Sequence, residues 1–402
     1  MTRIALLACA LVCALAAPSA EAAGPAQTKR VLRSEMAKAG AYAGAHVVDL
    51  GTGRALYSED ASVARIPASV EKLYTTAAAL ERFGPQGALS TQVLGASAVD
   101  ETGVLAGDLY LRGGGDPSFG AWSAGLLADF LVEQTGLTEV DGRVIGDESA
   151  FDGLRGPPSE GFRTSSYVGP LSALTFNHGF TGRRWPPFQA SPPRSAARAF
   201  ATALQRRGVT IRRSARAGVA PVGAVPLTSL NSPGIENLVA SMNVPSDNFT
   251  AEMLIKALGA AFGAGGTTSA GAAVVRSNAA RLGIRTTVVD GSGLSRSNRT
   301  SPKAVVSLLT AMDESALAVP FEASLPVAGR TGTLHDRMRR TAARDACRAK
   351  TGTLSNVSAL AGYCDTRGGA RVAFAFLMNS VYPWTARRLQ DRMTAALARY
   401  DG

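Results

Sequence analysis

Apolar positions at helical spacing alternate along the chain with short β-like runs and turns. The helical pattern predicts helices over residues 30–39, 69–83, 196–207, 249–262, 270–282, 302–312 and 385–400. A hairpin is predicted over residues 42–58, with its turn at Gly51-Thr52-Gly53. Near the C-terminus, β runs over residues 347–354 and 357–364 predict a second hairpin, and residues 372–378 predict a further strand.

The stretch from residue 84 to residue 220 has a different character. Short β-like runs at residues 90–95, 109–111 and 143–145 alternate there with turns rich in Gly and Pro. Because strands lie near both ends of the chain with helices between them, the pattern predicts one α+β domain interrupted by an inserted β-rich domain. The predicted boundaries are 23–83 and 221–402 for the two parts of the outer domain, and 84–220 for the insert.

Residues 1–22 have the pattern of a signal peptide. Arg3 supplies the positive charge, residues 4–17 are apolar, and Ala20-Glu21-Ala22 resembles a cleavage site with small residues. The apolar run is shorter than a helix that spans a bilayer, so no transmembrane anchor is expected. The sequence therefore predicts export to the periplasm.

The net charge of +11 comes mainly from arginines that are scattered along the chain. No long basic run interleaves with aromatic residues, so nucleic acid is not an expected partner. Only six of the 42 basic residues are lysines, and two of the six lie in short motifs that can carry chemistry. Lysine differs from arginine because a desolvated lysine can be neutral near pH 7 and can act as a base.

Three motifs occur in one order, namely Ser69-Val70-Glu71-Lys72, Ser246-Asp247-Asn248 and Lys350-Thr351-Gly352-Thr353. Each motif is weak evidence by itself, and Ser246-Asp247-Asn248 alone would be explained by a turn before a helix. All three in this order are the known combination of penicillin-binding proteins and class A β-lactamases. The combination predicts an acyl-transfer site with a serine nucleophile and a lysine base.

The motifs predict a role for each polar residue. Ser69 lies at a helix N-terminus, and Lys72 lies one turn along the same face. Lys72 takes the hydroxyl proton of Ser69, whose oxygen then attacks a carbonyl. Ser246 relays that proton to the leaving amine, and Asn248 holds both Lys72 and the acyl substrate. Lys350 adds positive charge near Ser246.

The rest of the third motif is predicted to bind substrate. Thr351 offers a hydroxyl to a terminal carboxylate. Gly352 lies between two substrate-binding threonines. The backbone N–H groups of Thr353 and Ser69 are predicted to form the oxyanion hole.

Other sites are poor candidates in this sequence. The three histidines form no metal-spaced cluster, so no metal or cofactor is expected. A G-x-S-x-G motif, expected for a Ser-His-Asp hydrolase, is absent, and Asp290-Gly291-Ser292-Gly293 is interpreted as a turn. Arg330-Thr331-Gly332-Thr333 mimics the third motif but lacks the β-like run before it, so it is placed outside the catalytic set.

Cys347 and Cys364 are the two cysteines that remain after removal of the predicted signal peptide. If Ser355-Asn356 is a two-residue turn, Leu354 pairs with Val357, and Cys347 then lies opposite Cys364 at a non-hydrogen-bonded position. An exported protein favours oxidised cysteines. A disulfide across this hairpin is therefore predicted.

The sequence resembles the DacB-type family of D-alanyl-D-alanine carboxypeptidases/endopeptidases, which are class C low-molecular-mass penicillin-binding proteins. Besides the three motifs, the resemblance rests on residues 111–117 (LRGGGDP), 290–295 (DGSGLS), 332–334 (GTL) and 360–363 (LAGY). It implies a transpeptidase-like domain with an antiparallel sheet flanked by helices, and an insert between the first two motifs. It also implies that the substrates are peptidoglycan stem peptides and that β-lactams are covalent inhibitors.

Two points stay open at the level of sequence. The resemblance suggests that Asp147, in Ile145-Gly146-Asp147-Glu148-Ser149, receives the cationic end of a diaminopimelate side chain.

The function also has alternatives to the D,D-peptidase. The second alternative is a β-lactamase, which would need fast deacylation, and no Glu in the sequence is marked for that role. A non-catalytic wall-binding protein of the same fold is the third alternative, against which the complete motifs argue.

Overall fold

The computed structural model describes residues 23–182 and 187–402, so the predicted signal peptide lies outside the described residues. Helices α1 to α10 span Pro25–Ala39, Lys72–Phe83, Ala121–Thr135, Pro192–Gln205, Ile235–Asn243, Asn248–Phe262, Thr268–Arg281, Pro302–Asp313, Ala318–Ala323 and Pro383–Ala398. Strands β1 to β7 span Ala43–Asp49, Ala55–Glu59, Ser90–Gly95, Val104–Leu105, Leu109–Gly113, Glu139–Val140 and Val144–Asp147. Strands β8 to β13 span Thr210–Ile211, Arg216–Ala217, Val225–Asn231, Cys347–Leu354, Val357–Asp365 and Arg371–Asn379.

The main sheet joins the two ends of the chain. Its five strands run in the order β11-β12-β13-β1-β2, and every neighbouring pair is antiparallel. Side chains of β13 alternate between two buried layers, as strand geometry requires. Phe374 and Phe376 pack with α1 and α10 on one face, whereas Ala373, Ala375 and Leu377 pack with α2, α6 and α8 on the other. Helices thus cover both faces of the sheet.

A second region lies between α2 and α5 along the chain. One sheet has the order β10-β3-β5-β7-β9 and a smaller one the order β4-β6-β8, with α3 and α4 packed in a shared core. The region is less purely β than expected, because it also contains α3, whose Ala121–Thr135 segment is apolar on most sides and gives little helical periodicity. The first sheet also takes its edge strand β10 from residues past the predicted boundary at residue 220, since Asn231 pairs with Ser90.

The C-terminal hairpin has the predicted register. Leu354 pairs with Val357 and Cys347 with Cys364, whose Cα atoms are 4.1 Å apart. The disulfide between these two cysteines is present, which confirms that prediction. It joins the ends of β11 and β12 far from the turn, at the opposite end from Thr353.

The other predicted helices and strands occur within a few residues of their expected bounds, and the last helix begins earlier, at Pro383. Within the described part of the chain, no helix is both long and apolar enough to cross a membrane.

Candidate active site

Ser69 and Lys72 lie where a tight turn enters α2. Ala68 adopts a left-handed backbone conformation with φ of 48°, and a short 3-10 turn over Ala68–Glu71 leads into the helix at Lys72. The three-residue spacing then places the two side chains together, with Lys72 Nζ 3.1 Å from Ser69 Oγ. Apolar residues on both sides of the turn are buried, so the pair is held on a rigid part of the outer domain.

The other two contacts of Lys72 are with groups that can only accept hydrogen bonds. Its Nζ donates to Asn248 Oδ1 at 2.7 Å and to the backbone oxygen of Ser292 at 2.7 Å. An uncharged amine keeps two N–H groups, which these acceptors satisfy, and its lone pair then faces the Ser69 hydroxyl. The geometry is that of a general base against a serine.

Burial lowers the pKa of Lys72 to about 8, although nearby carboxyl groups oppose the shift. The side chain is fully buried, and the opposing groups are Asp247, Glu252, Asp290 and Glu71. None of these carboxyl groups forms a hydrogen bond or ion pair with Lys72 within the described residues. Without a direct ion pair, the ammonium form is not locked in place, and a substantial neutral fraction is present near pH 8.

Ser246 and Asn248 are aimed into the site by a strained turn. Ser246 has a left-handed φ of 64°, and Asp247 caps α6 by accepting from the backbone N–H of Thr250 at 2.7 Å. The cap fixes the start of the helix, so Asn248 projects from its first turn toward Lys72. Its Nδ2 donates to the backbone oxygen of Tyr167 at 3.1 Å, which brings a loop of the second region to the edge of the site.

Lys350 reaches the site from β11. Its Nζ donates to Ser246 Oγ at 2.8 Å and to the backbone oxygen of Thr351 at 3.0 Å. Burial lowers the pKa of Lys350 well below its usual value, and the positive charge of Lys72 lowers it further. Lys350 therefore holds the Ser246 hydroxyl, while Lys72 holds Ser69 and Asn248, and Ser69, Ser246 and Asn248 all line the same cleft.

Gly352 allows β11 to lie against the turn that holds Ser69. A Cβ at this position would be 2.6 Å from the backbone oxygen of Pro67 and 3.1 Å from the Ser69 nitrogen. Only glycine permits this approach without movement of the backbone. The contact brings the main chain of β11 beside the Ser69 N–H, as the predicted oxyanion hole with Thr353 requires.

A cleft of about 1420 Å³ opens over these residues. Members of all three motifs line it, namely Ser69, Ser246, Asn248, Thr351 and Thr353. Its outer walls come from several segments and include Tyr167, Leu294, Arg296, Thr333, Trp384 and Arg387. A cleft of this size accommodates a peptide rather than a single amino acid.

Sequence reasoning missed three contributions to the site. Thr333, which lies outside the predicted catalytic set, lines the cleft and accepts a hydrogen bond from Thr351 Oγ1 at 2.8 Å. The backbone of Ser292, in the segment interpreted as a turn, binds Lys72, and the backbone of Tyr167 binds Asn248. The resemblance over residues 290–295 and 332–334 was the signal for two of them.

Asp147 is not brought to this site, and its expected contact with a substrate cation stays a prediction. It ends β7, is fully buried, and does not line the cleft. Its carboxylate accepts from the N–H groups of Ser149 and Ala220 and forms an ion pair with Arg112 at 3.0 Å. Although burial raises the pKa of Asp147, these hydrogen bonds lower it below its usual value. The carboxylate therefore binds groups within the inserted region.

Comparisons with known proteins agree with this geometry. The sequence matches the D-Ala-D-Ala carboxypeptidase 3 (S13) family over residues 28–191 and 188–400. It is 31% identical to the D-alanyl-D-alanine carboxypeptidase of Actinomadura sp., over 90% of this chain and 82% of that protein. It is 32% identical to carboxypeptidase DacB of Mycolicibacterium smegmatis, over 93% and 85% of the two chains.

The structure is similar to the crystal structure of penicillin binding protein 4 (dacB) from Haemophilus influenzae. The TM-score is 0.77 at 21% identity, over 90% of this chain and 97% of that one, and the same protein has also been crystallised in complex with a novel β-lactam. The fold is therefore that of a penicillin-binding protein, a transpeptidase-like α+β domain with an inserted domain. The chain belongs to the D-Ala-D-Ala carboxypeptidase 3 (S13) family. The predicted fold class, family and enzyme class are confirmed.

Proposed function

We propose that the chain is a serine D-alanyl-D-alanine carboxypeptidase that cleaves peptidoglycan stem peptides through an acyl-enzyme on Ser69. The observation that carries this proposal is the position of Lys72 Nζ, 3.1 Å from Ser69 Oγ and otherwise bound only to obligate acceptors. Membership of the S13 family and the named carboxypeptidase relatives support the reaction type.

Acylation begins when neutral Lys72 takes the hydroxyl proton of Ser69 and the oxygen attacks the carbonyl carbon of the penultimate D-alanine. The negative charge that develops on the carbonyl oxygen is stabilised by the backbone N–H groups of Ser69 and Thr353. Because β11 and the Ser69 turn hold these two N–H groups in place, the groups stabilise the developing charge without having to reorganise during the reaction.

Collapse of the tetrahedral intermediate breaks the peptide bond. The proton taken by Lys72 passes through Ser246 to the leaving nitrogen, and Lys350, 2.8 Å from Ser246 Oγ, keeps that hydroxyl oriented. Terminal D-alanine departs, leaving an ester on Ser69. Attack by water, activated by the same lysine, releases the shortened peptide and restores the Ser69 hydroxyl.

Substrate recognition is proposed to use both threonines of the third motif. Thr351 is oriented by Thr333 and meets the terminal carboxylate, whose negative charge favours the charged form of the nearby Lys350. Asn248 binds the amide of the acyl portion, which requires its Nδ2 to exchange the Tyr167 oxygen for a substrate oxygen. Penicillins would acylate Ser69 in the same position, and we place the protein in the periplasm.

The proposal is tested by incubating the purified protein with labelled penicillin and following its intact mass over time. A long-lived adduct that maps to Ser69 and is lost in Ser69→Ala supports a D,D-peptidase, as does release of D-alanine from a D-Ala-D-Ala peptide. Rapid turnover of the drug would instead indicate a β-lactamase. Absence of both an adduct and turnover would indicate a binding protein.

A further inference from the structure

Behind Lys72 lie three carboxyl groups that the reaction does not use. Glu71, Glu252 and Asp290 are fully buried and are called the carboxyl cluster here. They come from the Ser69 turn, from α6 and from the loop that carries Ser292. Three carboxylates in one buried place cannot all be ionised beside a lysine that must itself become neutral. Their contacts show how the charge is distributed.

Glu71 has the environment of a neutral acid. Neither of its carboxyl oxygens has a hydrogen-bond partner among the described residues, and its side chain is 0% exposed. An ionised carboxylate without any donor is strongly disfavoured in such a place. Burial accordingly raises the pKa of Glu71 well above its usual value, and the negative charge of Asp290 raises it further.

Asp290 has the opposite environment. Its Oδ1 accepts from the Gly293 N–H at 2.9 Å and from Asn298 Nδ2 at 2.7 Å, and its Oδ2 accepts from the Ser295 N–H at 2.6 Å. Glu252 lies between the two extremes: Oε1 accepts from the Ser292 N–H at 2.9 Å, but Oε2 has no partner. Burial and the charge of Asp290 raise the pKa of Glu252.

One peptide group connects Asp290 with the catalytic lysine. The Ser292 oxygen accepts from Lys72 Nζ at 2.7 Å, while the N–H of the same peptide group, on Gly293, donates to Asp290. A negative charge at one end of a peptide group polarises it and strengthens the acceptor at the other end. Charge on Asp290 therefore favours the ammonium form of Lys72 without direct contact.

We propose that the carboxyl cluster carries one negative charge at neutral pH, which Asp290 holds while Glu71 and Glu252 are neutral, and that this charge sets the pH range in which Lys72 is neutral. Asp290→Asn removes the charge, whereas Glu252→Gln leaves it in place. The inference rests on the proposed role of Lys72 as the base.

Other charged groups also face the lysine and the carboxyl cluster. Asp247 precedes α6, Lys350 approaches from β11, and Lys256 faces Glu252 along α6. All of them remain in each variant of the cluster, so they contribute a constant background. The charge of Asp290 is then the one quantity that differs between Asp290→Asn and Glu252→Gln.

The test is the pH dependence of Ser69 acylation by penicillin, measured by stopped-flow fluorescence or quenched mass spectrometry. In Glu252→Gln, the rise of the rate with pH should stay where it is in the unaltered protein. In Asp290→Asn, loss of the negative charge lowers the pKa of Lys72, so the rise should move to lower pH by about one pH unit or more. Below the original midpoint, a rise that lies one pH unit lower makes acylation about tenfold faster at a given pH.

A matched control converts Asp313 and Glu322, two of the three carboxylates paired with Arg371 outside the cleft, to amides together. This change should not move the profile. An unmoved profile in Asp290→Asn overturns the inference, and so does a Glu252→Gln variant that moves the profile as far as Asp290→Asn does. If the unaltered protein forms no adduct at all, the proposed function fails instead.

A second measurement does not depend on the folding of Asp290→Asn. At neutral pH, the infrared spectrum of the unaltered protein minus that of Glu71→Gln should contain the carbonyl band of a protonated carboxyl group. Absence of that band would overturn the neutral state assigned to Glu71. The same difference should vanish at high pH, where Glu71 ionises.

Discussion

The floor of the cleft and the sheet of the inserted region surround a buried ionisable side chain with opposite kinds of partner. Lys72 is 0% exposed and is surrounded by neutral acceptors, with no carboxylate bonded to it. Asp147 is also 0% exposed, yet its carboxylate is bonded to Arg112 and to two backbone N–H groups. Burial lowers the pKa of Lys72, whereas the hydrogen bonds of Asp147 outweigh burial and lower the pKa of Asp147.

On the proposed mechanism, the difference separates a group used in chemistry from one used in structure. A catalytic base must be able to lose its charge, so a strong counterion in contact with it would defeat its purpose. A structural carboxylate must keep its charge, because its partners would otherwise be left unsatisfied in the interior. The predictions below test whether the two regions differ in this way.

The largest effect is expected for Ser69→Ala. Without the nucleophilic oxygen no ester forms, so kcat/KM for release of D-alanine should fall by at least about 10⁴-fold. The assay measures D-alanine release, and thermal unfolding should be unchanged because the hydroxyl is not part of the core. Stable binding of penicillin by this variant as a covalent adduct would place the nucleophile elsewhere.

Lys72→Arg should lower kcat/KM by about 10³-fold or more, since arginine keeps its charge and cannot accept the Ser69 proton. The same measurement on Lys303→Arg, an exposed position on α8, is the matched control and should show full activity. Substantial activity in Lys72→Arg would contradict the assignment of the base.

Removal of the disulfide by Cys347→Ser with Cys364→Ser should lower the free energy of unfolding by about 3 kcal/mol. The bridge closes a loop with a sequence separation of 17, and its loss increases the entropy of the unfolded chain. Urea unfolding measures the change. Reduction of the unaltered protein should give the same loss, and a much smaller loss would mean that the bond does not form.

Asp147→Asn should lower the free energy of unfolding by about 2 kcal/mol. The reason is that the NH2 group of the amide would face N–H donors that now donate to the carboxylate. Its carboxylate stabilises the protein above the pKa of an unfolded aspartate, about 4, and this contribution disappears as the pH falls through the lower folded pKa. The variant should therefore lose less stability than the unaltered protein between pH 5 and about pH 2.

The catalytic consequence of Asp147→Asn separates the two functions proposed for this residue. Activity on a diaminopimelyl peptide and on a simple D-Ala-D-Ala peptide should change by the same factor, because the side chain is outside the cleft. A selective loss on the diaminopimelyl peptide would restore the role that the sequence suggested.

Local spacing made much of the site predictable. The three-residue interval between Ser69 and Lys72 fixes one helical face, and the turn at Ser355-Asn356 fixes the register that pairs Cys347 with Cys364. Both follow from geometry within a short stretch of chain. The chemical requirement for lysine, in a sequence that otherwise prefers arginine, added independent weight.

Contacts between distant segments were not predictable in the same way. The backbone oxygens of Ser292 and Tyr167 bind the side chains of Lys72 and Asn248, but any residue type can supply a backbone oxygen, so the sequence does not reveal them. Helix α3 was missed because its apolar sides are covered by the inserted sheet and α4, which only the fold reveals. The contacts of Asp147 are with Arg112 and Ala220, which lie 35 and 73 residues away from it in the sequence.

The most direct test of the account is the pH dependence of Ser69 acylation by penicillin in the unaltered protein. If neutral Lys72 is the base, the second-order rate constant should rise about tenfold per pH unit at acidic pH and level off near pH 8, where its pKa lies. A rate that is independent of pH below 8 would contradict the account. So would a rise that continues to about pH 10, the value for an ordinary exposed lysine.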